Sequence, residues 1–489
     1  MHAGRTLIVL ALGGVYLAMS WSSGHAQGLC FDAAVNYAAG NIPTRFVAAD
    51  LDGDGDVDLA VANNWYDSDL GCGGVSILMN NGDGSFAAPV KYAAGCAPIS
   101  VFAADLDGDG DLDLAAANPG DDNVLVLLNS GTGSFAAPAQ YAVGSFPISV
   151  FAADLDGDGD CDLAVANAGT DNVSILKNNG DGTFATAVYY SAGSAPWSVC
   201  AADLDGNGYA DLAVANDSSH NVSIFMNDGD GTFGSAADYP AGSNPFSILA
   251  TDLDGDGDLD LAVANAGSDN VTVLKNSGTG SFAASENWAA GSSPTSVCAA
   301  DLDGDSDLDL AVSNGLVDGS ITSGNVSVLK NNGTGSFAAP ESYAAGSNPF
   351  CVLAADLDGD GDLDLAVANG HSHNVSVLRN CTDVSTVVGD ADQSASPKTF
   401  TLAQNYPNPF NAATQIRFVV PRYERVTLAV YDVLGRVVAR LLDQEMDPGA
   451  KSIAWDGRDM RGRSVCSGAY FYRLTTSRTS ETKKMVLLK

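Results

Sequence analysis

Asp50-Leu-Asp-Gly-Asp-Gly-Asp-Val-Asp58 runs straight into the apolar Leu59-Ala-Val-Ala62. The stretch places a carboxylate on every second residue and then turns into a β-type run. Asp side chains at positions one, three, five and nine, with the carbonyl at position seven, make the oxygen shell that a hard cation such as Ca²⁺ prefers. An EF-hand would need a bidentate Glu at position twelve, where Val61 stands in the apolar run. The pattern therefore predicts a calcium loop within a β-hairpin.

The loop returns at Asp105, Asp154, Asp203, Asp252, Asp301 and Asp356, at intervals of 55, 49, 49, 49, 49 and 55 residues. Each unit reads PxSVxAAD, the Asp loop, LAVAN, a polar turn, NVSVL, NNGDGSF and AAPxxYAAG. Four short apolar runs between Gly, Asn and Asp signals predict four β-strands, the last two joined by tight Asn-Gly and Asp-Gly turns. Seven such units of about 50 residues predict a seven-bladed β-propeller. A linear solenoid would need capping repeats of different sequence at its ends, and none is present.

The ends of the repeat point to a closed ring. The seventh unit stops at Asn374-Val-Ser-Val-Leu-Arg-Asn-Cys381, without its fourth strand. The missing run stands at the other end, as Phe31-Asp-Ala-Ala-Val-Asn-Tyr-Ala-Ala-Gly40. Residues 31–40 are expected to complete the last blade and cover its edge. By alignment Cys30 and Cys381 flank the hairpin turn that this blade lacks, so a Cys30–Cys381 disulfide is expected to replace it. Cys72 and Cys96 allow a second pair, while Cys161, Cys200, Cys298 and Cys351 read as small buried fillers.

The expected metal donors are Asp50, Asp52, Asp54 and Asp58 with the carbonyl of Asp56, then Asp105, Asp107, Asp109 and Asp113 with Asp111. In the third and fourth loops they are Asp154, Asp156, Asp158 and Asp162 with Asp160, and Asp203, Asp205, Asn207 and Asp211 with Tyr209. In the fifth they are Asp252, Asp254, Asp256 and Asp260 with Asp258. The sixth and seventh supply Asp301, Asp303, Asp305 and Asp309 with Asp307, and Asp356, Asp358, Asp360 and Asp364 with Asp362. Up to seven Ca²⁺ ions are expected. A merely solubilising acidic coat would mix Asp with Glu, yet the repeats hold only Glu286 and Glu341.

DLDGDGDLDLAVAN together with GSFAAP resembles the FG-GAP/VCBS repeat family, which includes the integrin α-subunit propellers. The resemblance implies that the calcium loops join the first two strands of each blade on a lower face, bracing the ring without touching ligand. It implies recognition on the upper face, from the turns between strands two and three and between blades.

Charge divides the chain. Residues 28–381 hold 49 acidic against 6 basic side chains, whereas residues 398–489 hold 8 against 15. The first part repels nucleic acid and anionic lipid, so no nucleic-acid partner is expected. Arg5, the apolar Leu7 to Met19 and Gly24-His-Ala26 predict a secretory signal over residues 1–26. No later apolar run is long enough for a membrane-spanning anchor.

No catalytic constellation stands out. The repeats contain His220, His371 and His373, of which His220 and His373 occupy the same polar turn in different blades. There is no nucleophile elbow, phosphate-cradling loop or HExxH. The departures from symmetry are more informative. Six-residue insertions follow Asn63 and Asn314, and the first adds Trp65 and Tyr66. The residue after the inter-blade Pro also varies, as Trp197 and Phe246 show. Trp65, Tyr66, Trp197 and Phe246 are the candidate ligand contacts, since aromatic rings stack on sugars and anchor protein partners. Arg45, at a position held by Ser or Cys elsewhere, reads as a salt-bridge partner.

Residues 382–397 read as a flexible linker between the propeller of residues 27–381 and a domain at 398–489. The latter alternates short strands with turns, as an immunoglobulin-like β-sandwich does. Gln404-Asn-Tyr-Pro-Asn-Pro-Phe-Asn411, Val430-Tyr-Asp-Val-Leu-Gly-Arg436, Trp455-Asp-Gly-Arg-Asp459 and Lys484-Met-Val-Leu-Leu-Lys489 resemble the type IX secretion C-terminal sorting domain, whose fold is shared with flagellar hook-cap proteins. That resemblance implies handling by an outer-membrane export machine of a Gram-negative bacterium and display on, or release from, the cell surface. The expected fold class is all-β. The expected function is a monomeric, non-enzymatic recognition or adhesion module for a glycan or surface protein. The alternatives are a polysaccharide- or phosphodiester-cleaving enzyme, using loop carboxylates such as Asp67 or Asp318, and a structural surface coat.

Overall fold

The computed structural model describes residues 29–65, 72–315, 323–382, 401–402, 414–420, 422–431, 436–446, 449–455, 457–458, 463, 465, 468–476 and 480–487. The expected signal segment, the linker from 383 onward, Tyr66, Asp67, Asp318 and residues 404–411 lie outside them. The described residues contain strands, bridges and turns but no helix. The chain divides into two compact units, residues 1–386 and 387–489.

In the first unit seven four-stranded antiparallel sheets follow one another. The first blade comprises Pro43–Ala49, Asp58–Asn63, Gly74–Leu78 and Val90–Ala93, counted from the inner strand outward. Each inner strand abuts that of the next blade, and Pro349–Ala355 of the last blade abuts Pro43–Ala49 of the first. The ring is therefore closed, as a propeller requires. Because every blade is sandwiched between two others, its second strand is buried on both faces. That explains the unbroken Leu59-Ala-Val-Ala62 in place of an alternating pattern. Outer strands such as Val90–Ala93 are exposed and only four residues long, which limits the open edge.

The ring closes as expected. Val35–Ala38 pairs antiparallel with Asn374–Leu378 and supplies the outer strand of the last blade. Phe31 bridges to Asn380, and the Cys381 amide donates to the Cys30 carbonyl at 2.9 Å. Cys30 and Cys381 form a disulfide with Cα atoms 5.0 Å apart.

A second set of bonds stitches neighbouring blades. The Asn after each third strand sends its Nδ2 to the carbonyl of the second loop residue of the preceding blade. Asn129 reaches Leu51 at 2.7 Å, Asn178 reaches Leu106 at 2.8 Å, and Asn80 reaches Leu357 at 2.8 Å across the closure. The glycine of each YAAG motif has a comparably local cause. A Cβ on Gly95, which has φ of +82°, would lie 2.3 Å from the Asn118 amide nitrogen.

In the second unit one sheet holds Thr401–Leu402, Thr414–Val420 and Gly449–Trp455. The other orders Val437–Met446, Glu424–Tyr431, Gly468–Thr475 and Ser480–Leu487. Ile416, Phe418, Val420 and Trp455 of the first sheet share a core with Val426, Leu428, Val430 and Tyr472 of the second, so the unit is a β-sandwich. Alternate burial along Thr414–Val420 follows the period of two expected for a sheet with one wet face.

Candidate functional site

The Asp loops join the first and second strands of every blade, at the end opposite the inter-blade prolines. Position one nucleates the turn: Asp50 accepts hydrogen bonds from the amides of Gly53 at 2.8 Å and Gly55 at 3.1 Å. The glycines at positions four and six have positive φ, as with Gly53 at +78° and Gly55 at +97°, which lets the backbone wrap round the carboxylate. Ser306 takes the same conformation at position six of the sixth loop, with φ of +81°.

Position nine is a clamp. Asp58 is buried at the head of the second strand, accepting from the Leu51 amide at 3.1 Å and the Asn80 amide at 2.7 Å. The same pair of bonds recurs in the other blades, for example at Asp113 and Asp162. Each clamp thus ties its loop to the Asn that stitches the preceding blade. Burial pushes the carboxyls of Asp58, Asp162 and Asp364 up to about 7 and that of Asp309 up to about 8. Those of Asp113, Asp211 and Asp260 rise to about 6 for the same reason.

Oxygens of Asp50, Asp52 and Asp58 converge within 4.8 Å of one another, one of seven such groups among the described residues. Asp105, Asp107 and Asp113 form another, as do Asp203, Asp205 and Asp211, and Asp252, Asp254 and Asp260. In the third blade the group is Asp154, Asp156 and Asp158. Position seven behaves differently. The side chains of Asp56, Asp111, Asp160, Asp258 and Asp307 turn onto the hairpin glycine of their own blade, and Tyr209 does the same against Gly229. An aromatic ring is tolerated there because the side chain packs on the hairpin.

The loops fall into two classes that the sequence reading missed. In the first, second and fourth blades the position-three carboxylate accepts from the position-five amide, as Asp52 does from Asp54 at 3.2 Å. In the other four a cation after the third strand draws it aside. Lys177 lies 3.1 Å from Asp156, Lys275 3.4 Å from Asp254, Lys330 3.6 Å from Asp303 and Arg379 3.8 Å from Asp358. In these same four loops the second oxygen of that Asp is buried with no hydrogen-bond partner. A buried carboxylate oxygen without a donor is costly unless a cation meets it, so the donor set fits a metal ion. The signal was present in the sequence as Met79, Leu128, Lys177, Met226, Lys275, Lys330 and Arg379 at one repeat position.

At the other end of the inner strands the aromatic candidates separate. Trp197 and Phe246 stack with ring centroids 4.5 Å apart, and Phe350 lies 6.4 Å from Phe246. Pairing is irregular just after the prolines, between Pro196 and Ser198, Pro245 and Ser247, and Pro349 and Cys351. Such a bulge redirects the intervening side chain. Trp65 is 61% exposed on the first blade, with no ring contact to this cluster.

Arg45 departs from expectation. Its guanidinium donates to Ser149 Oγ at 3.3 Å and to the carbonyls of Trp197 at 3.4 Å and Phe246 at 3.0 Å. It crosses the ring to neutral oxygens and, among the described residues, forms no salt bridge. The histidines have a turn role: His373 Nδ1 accepts from the Ile42 amide at 3.0 Å, as Asp171 accepts from Ala195 at 2.8 Å. Cys200, Cys298 and Cys351 are buried as expected and Cys161 is half-buried, while Cys72 and Cys96 are free thiols within hydrogen-bonding reach of one another.

A family model described as FG-GAP-like repeat matches residues 50–116, 105–165, 154–214, 203–263, 252–312 and 317–367, segments that contain all seven Asp loops. Residues 404–488 match the secretion system C-terminal sorting domain, the mark of export by type IX secretion to the cell surface or beyond. No helix among the described residues is long and apolar enough to cross a membrane. No curated protein matches the chain. Among solved structures, BBS1N in complex with ARL6DN is 12% identical over 71% of this chain and 96% of that one, with a TM-score of 0.49. PorZ of Porphyromonas gingivalis, a surface component of its type IX secretion system, is 13% identical over 88% of this chain and 58% of that one, at 0.41. The Vibrio cholerae biofilm matrix protein Bap1 is 14% identical over 97% and 69%, at 0.34. Likenesses at this level carry no functional assignment. The six repeat matches span well over half of the sequence, and the chain belongs to the FG-GAP-like repeat family.

Proposed function

We propose that the protein is a calcium-braced recognition module, exported by its sorting domain and displayed at the cell surface, that binds a glycan or a surface protein. Asp and Asn side chains at loop positions one, three, five and nine, with the position-seven carbonyl, would hold up to seven Ca²⁺ ions. The ion would neutralise carboxylates that otherwise crowd one another, so its binding free energy adds to that of folding. The loops repeat almost unchanged and share their carboxylates with the bonds that stitch blade to blade, which suits a brace. Recognition falls to the opposite end, where the blades differ.

The observation that carries this reading is the cluster of Trp197, Phe246 and Phe350 at one repeat position, where sister blades hold Thr or Ile. Phe246 is buried, whereas Trp197 and Phe350 are half-buried and keep the apolar ring surface that sugar rings and protein anchors use. Trp65, and Tyr66 outside the described residues, would add a second contact at the first blade. The propeller would act as residues 27–381, with the export signal at 398–489 removed or retained after passage.

The test is binding of the full secreted chain to a glycan array and to surface-protein extracts, with calcium present throughout. Binding that falls at least tenfold in Trp197→Ala, with the melting temperature unchanged, supports the reading. No retained glycan or protein by a folded, calcium-loaded sample refutes it in favour of a structural coat. Turnover of a bound polysaccharide would replace recognition with catalysis.

A further inference from the structure

The ring axis carries a site of its own. A cavity of about 120 Å³ is lined by the inner strands of all seven blades. At one repeat position these strands present Arg45, Ser100, Ser149, Ser198, Ser247, Ser296 and Cys351. Five hydroxyls, a thiol and one guanidinium therefore form a single ring. No carboxylate lines the cavity, and burial lowers the readiness of Arg45 to hold its proton and raises that of the Cys351 thiol.

The hydrogen-bond inventory of this ring is lopsided. Ser149 Oγ accepts from the Val199 amide, Ser198 Oγ from the Ile248 amide and Ser247 Oγ from the Val297 amide, each at 3.4 Å. These hydroxyls serve as acceptors toward the protein, so each has its own proton to give, and no acceptor among the described residues takes it. Arg45 uses three of its five N–H donors, on Ser149, Trp197 and Phe246. Its remaining donors and its positive charge have no counterpart among the described residues. Arg45 is half-buried, so its charge is only partly withdrawn from water, and a cation in a narrow channel without a lining carboxylate still draws a counter-ion.

From this donor-rich ring, in which Ser296 alone gives its proton to a ring neighbour, Cys351 at 3.8 Å, we infer that the channel binds a small monovalent anion of halide size, held by Arg45 and the hydroxyls of Ser149, Ser198 and Ser247. One half-buried positive charge is balanced by one negative charge. A divalent oxyanion would leave the interior with a net negative charge. The site differs from the metal loops in sign, residues and end of the strands, and it stands whether or not the aromatic stack above binds a glycan.

Crystals of the full chain soaked in sodium bromide test the site directly, because bromide is located by its anomalous scattering. A bromide peak within hydrogen-bonding distance of Arg45 is expected. Its absence overturns the proposal. Thermal unfolding supplies a solution counterpart, with chloride replacing gluconate at constant ionic strength and constant calcium. Chloride should raise the melting temperature of the unaltered chain. That increment should vanish in Arg45→Gln and shrink in the paired Ser198→Ala, Ser247→Ala variant, which retains the charge. An equal chloride response in all three chains overturns the proposal. Should Arg45→Gln fail to fold, the bromide soak and the serine variant still decide.

Discussion

Replacing Cys30 and Cys381 together by Ser removes a cross-link between residues 351 positions apart. In the chain-entropy view such a link restrains the unfolded ensemble as the logarithm of the loop it closes, which for this separation amounts to about 6 kcal/mol. Native bonds at the same place are modest: four residue pairs between Val35–Ala38 and Asn374–Leu378, plus the bridge from Phe31 to Asn380. They hold the outer strand once the ring has formed and do nothing for the unfolded chain. Measured disulfide effects usually fall below the entropic ceiling, so a loss of about 3–5 kcal/mol is expected. The assay is guanidinium unfolding at saturating calcium, with tryptophan fluorescence and circular dichroism recorded on refolded and native samples. Amide exchange of residues 31–40 should quicken in parallel, since that strand would be free to fray. A stability change below about 1 kcal/mol with an unaltered denaturant slope would refute the view that the disulfide acts as the covalent latch of the ring.

Chelation and pH should act together on the metal loops. Folding raises the carboxyl of Asp58 to about 7 and that of Asp309 to about 8, so without metal the folded state binds more protons than the unfolded one. The stability they contribute is then complete only below about pH 4 and is lost as pH rises from there through about 7 for Asp58 and about 8 for Asp309. Chelated protein should melt higher at pH 5 than at pH 8, and added calcium should abolish that order; the opposite order by differential scanning fluorimetry would sink the argument. Lys177→Met copies the residue of the first and fourth blades and frees Asp156 from its cation. Calorimetric titration should show that loop binding calcium more tightly, by up to about fivefold, because a partly exposed ion pair is worth about 1 kcal/mol at most. Unchanged affinity would mean that the cation does not compete with the metal. Asn178→Leu removes bonds to the carbonyls of Leu106 and Cys161 and leaves both oxygens buried. A loss of about 2–5 kcal/mol in denaturant unfolding is expected, and a neutral result would show that the stitch is dispensable.

Much of this architecture was readable in the primary structure because its information is local and repeated. A short apolar run, an Asn-Gly turn and an alternating Asp loop each specify their own few residues. Seven copies turned those local signals into a ring. The displaced strand at residues 31–40 and the cysteines beside the missing turn identified the closure, since the repeat itself showed what was absent. The convergence of Asp50, Asp52 and Asp58 was equally legible, because residues within one tight loop can hardly avoid meeting.

Contacts between blades were not legible in the same way. Asn80 and Leu357 stand at opposite ends of the repeat, and only closure of the ring brings amide to carbonyl. The lysines at positions 177, 275 and 330 were visible as letters, but their hold on Asp156, Asp254 and Asp303 depends on how a third strand passes a loop of its own sheet. Arg45 shows the limit most clearly. A lone cation in a strongly acidic chain reads as half of a salt bridge, yet its side chain reaches across the ring, where blades 104 to 201 residues away in sequence offer a serine and two carbonyls. Burial, charge balance and hydrogen-bond supply at that point are sums over seven strands, and no single stretch of sequence contains them.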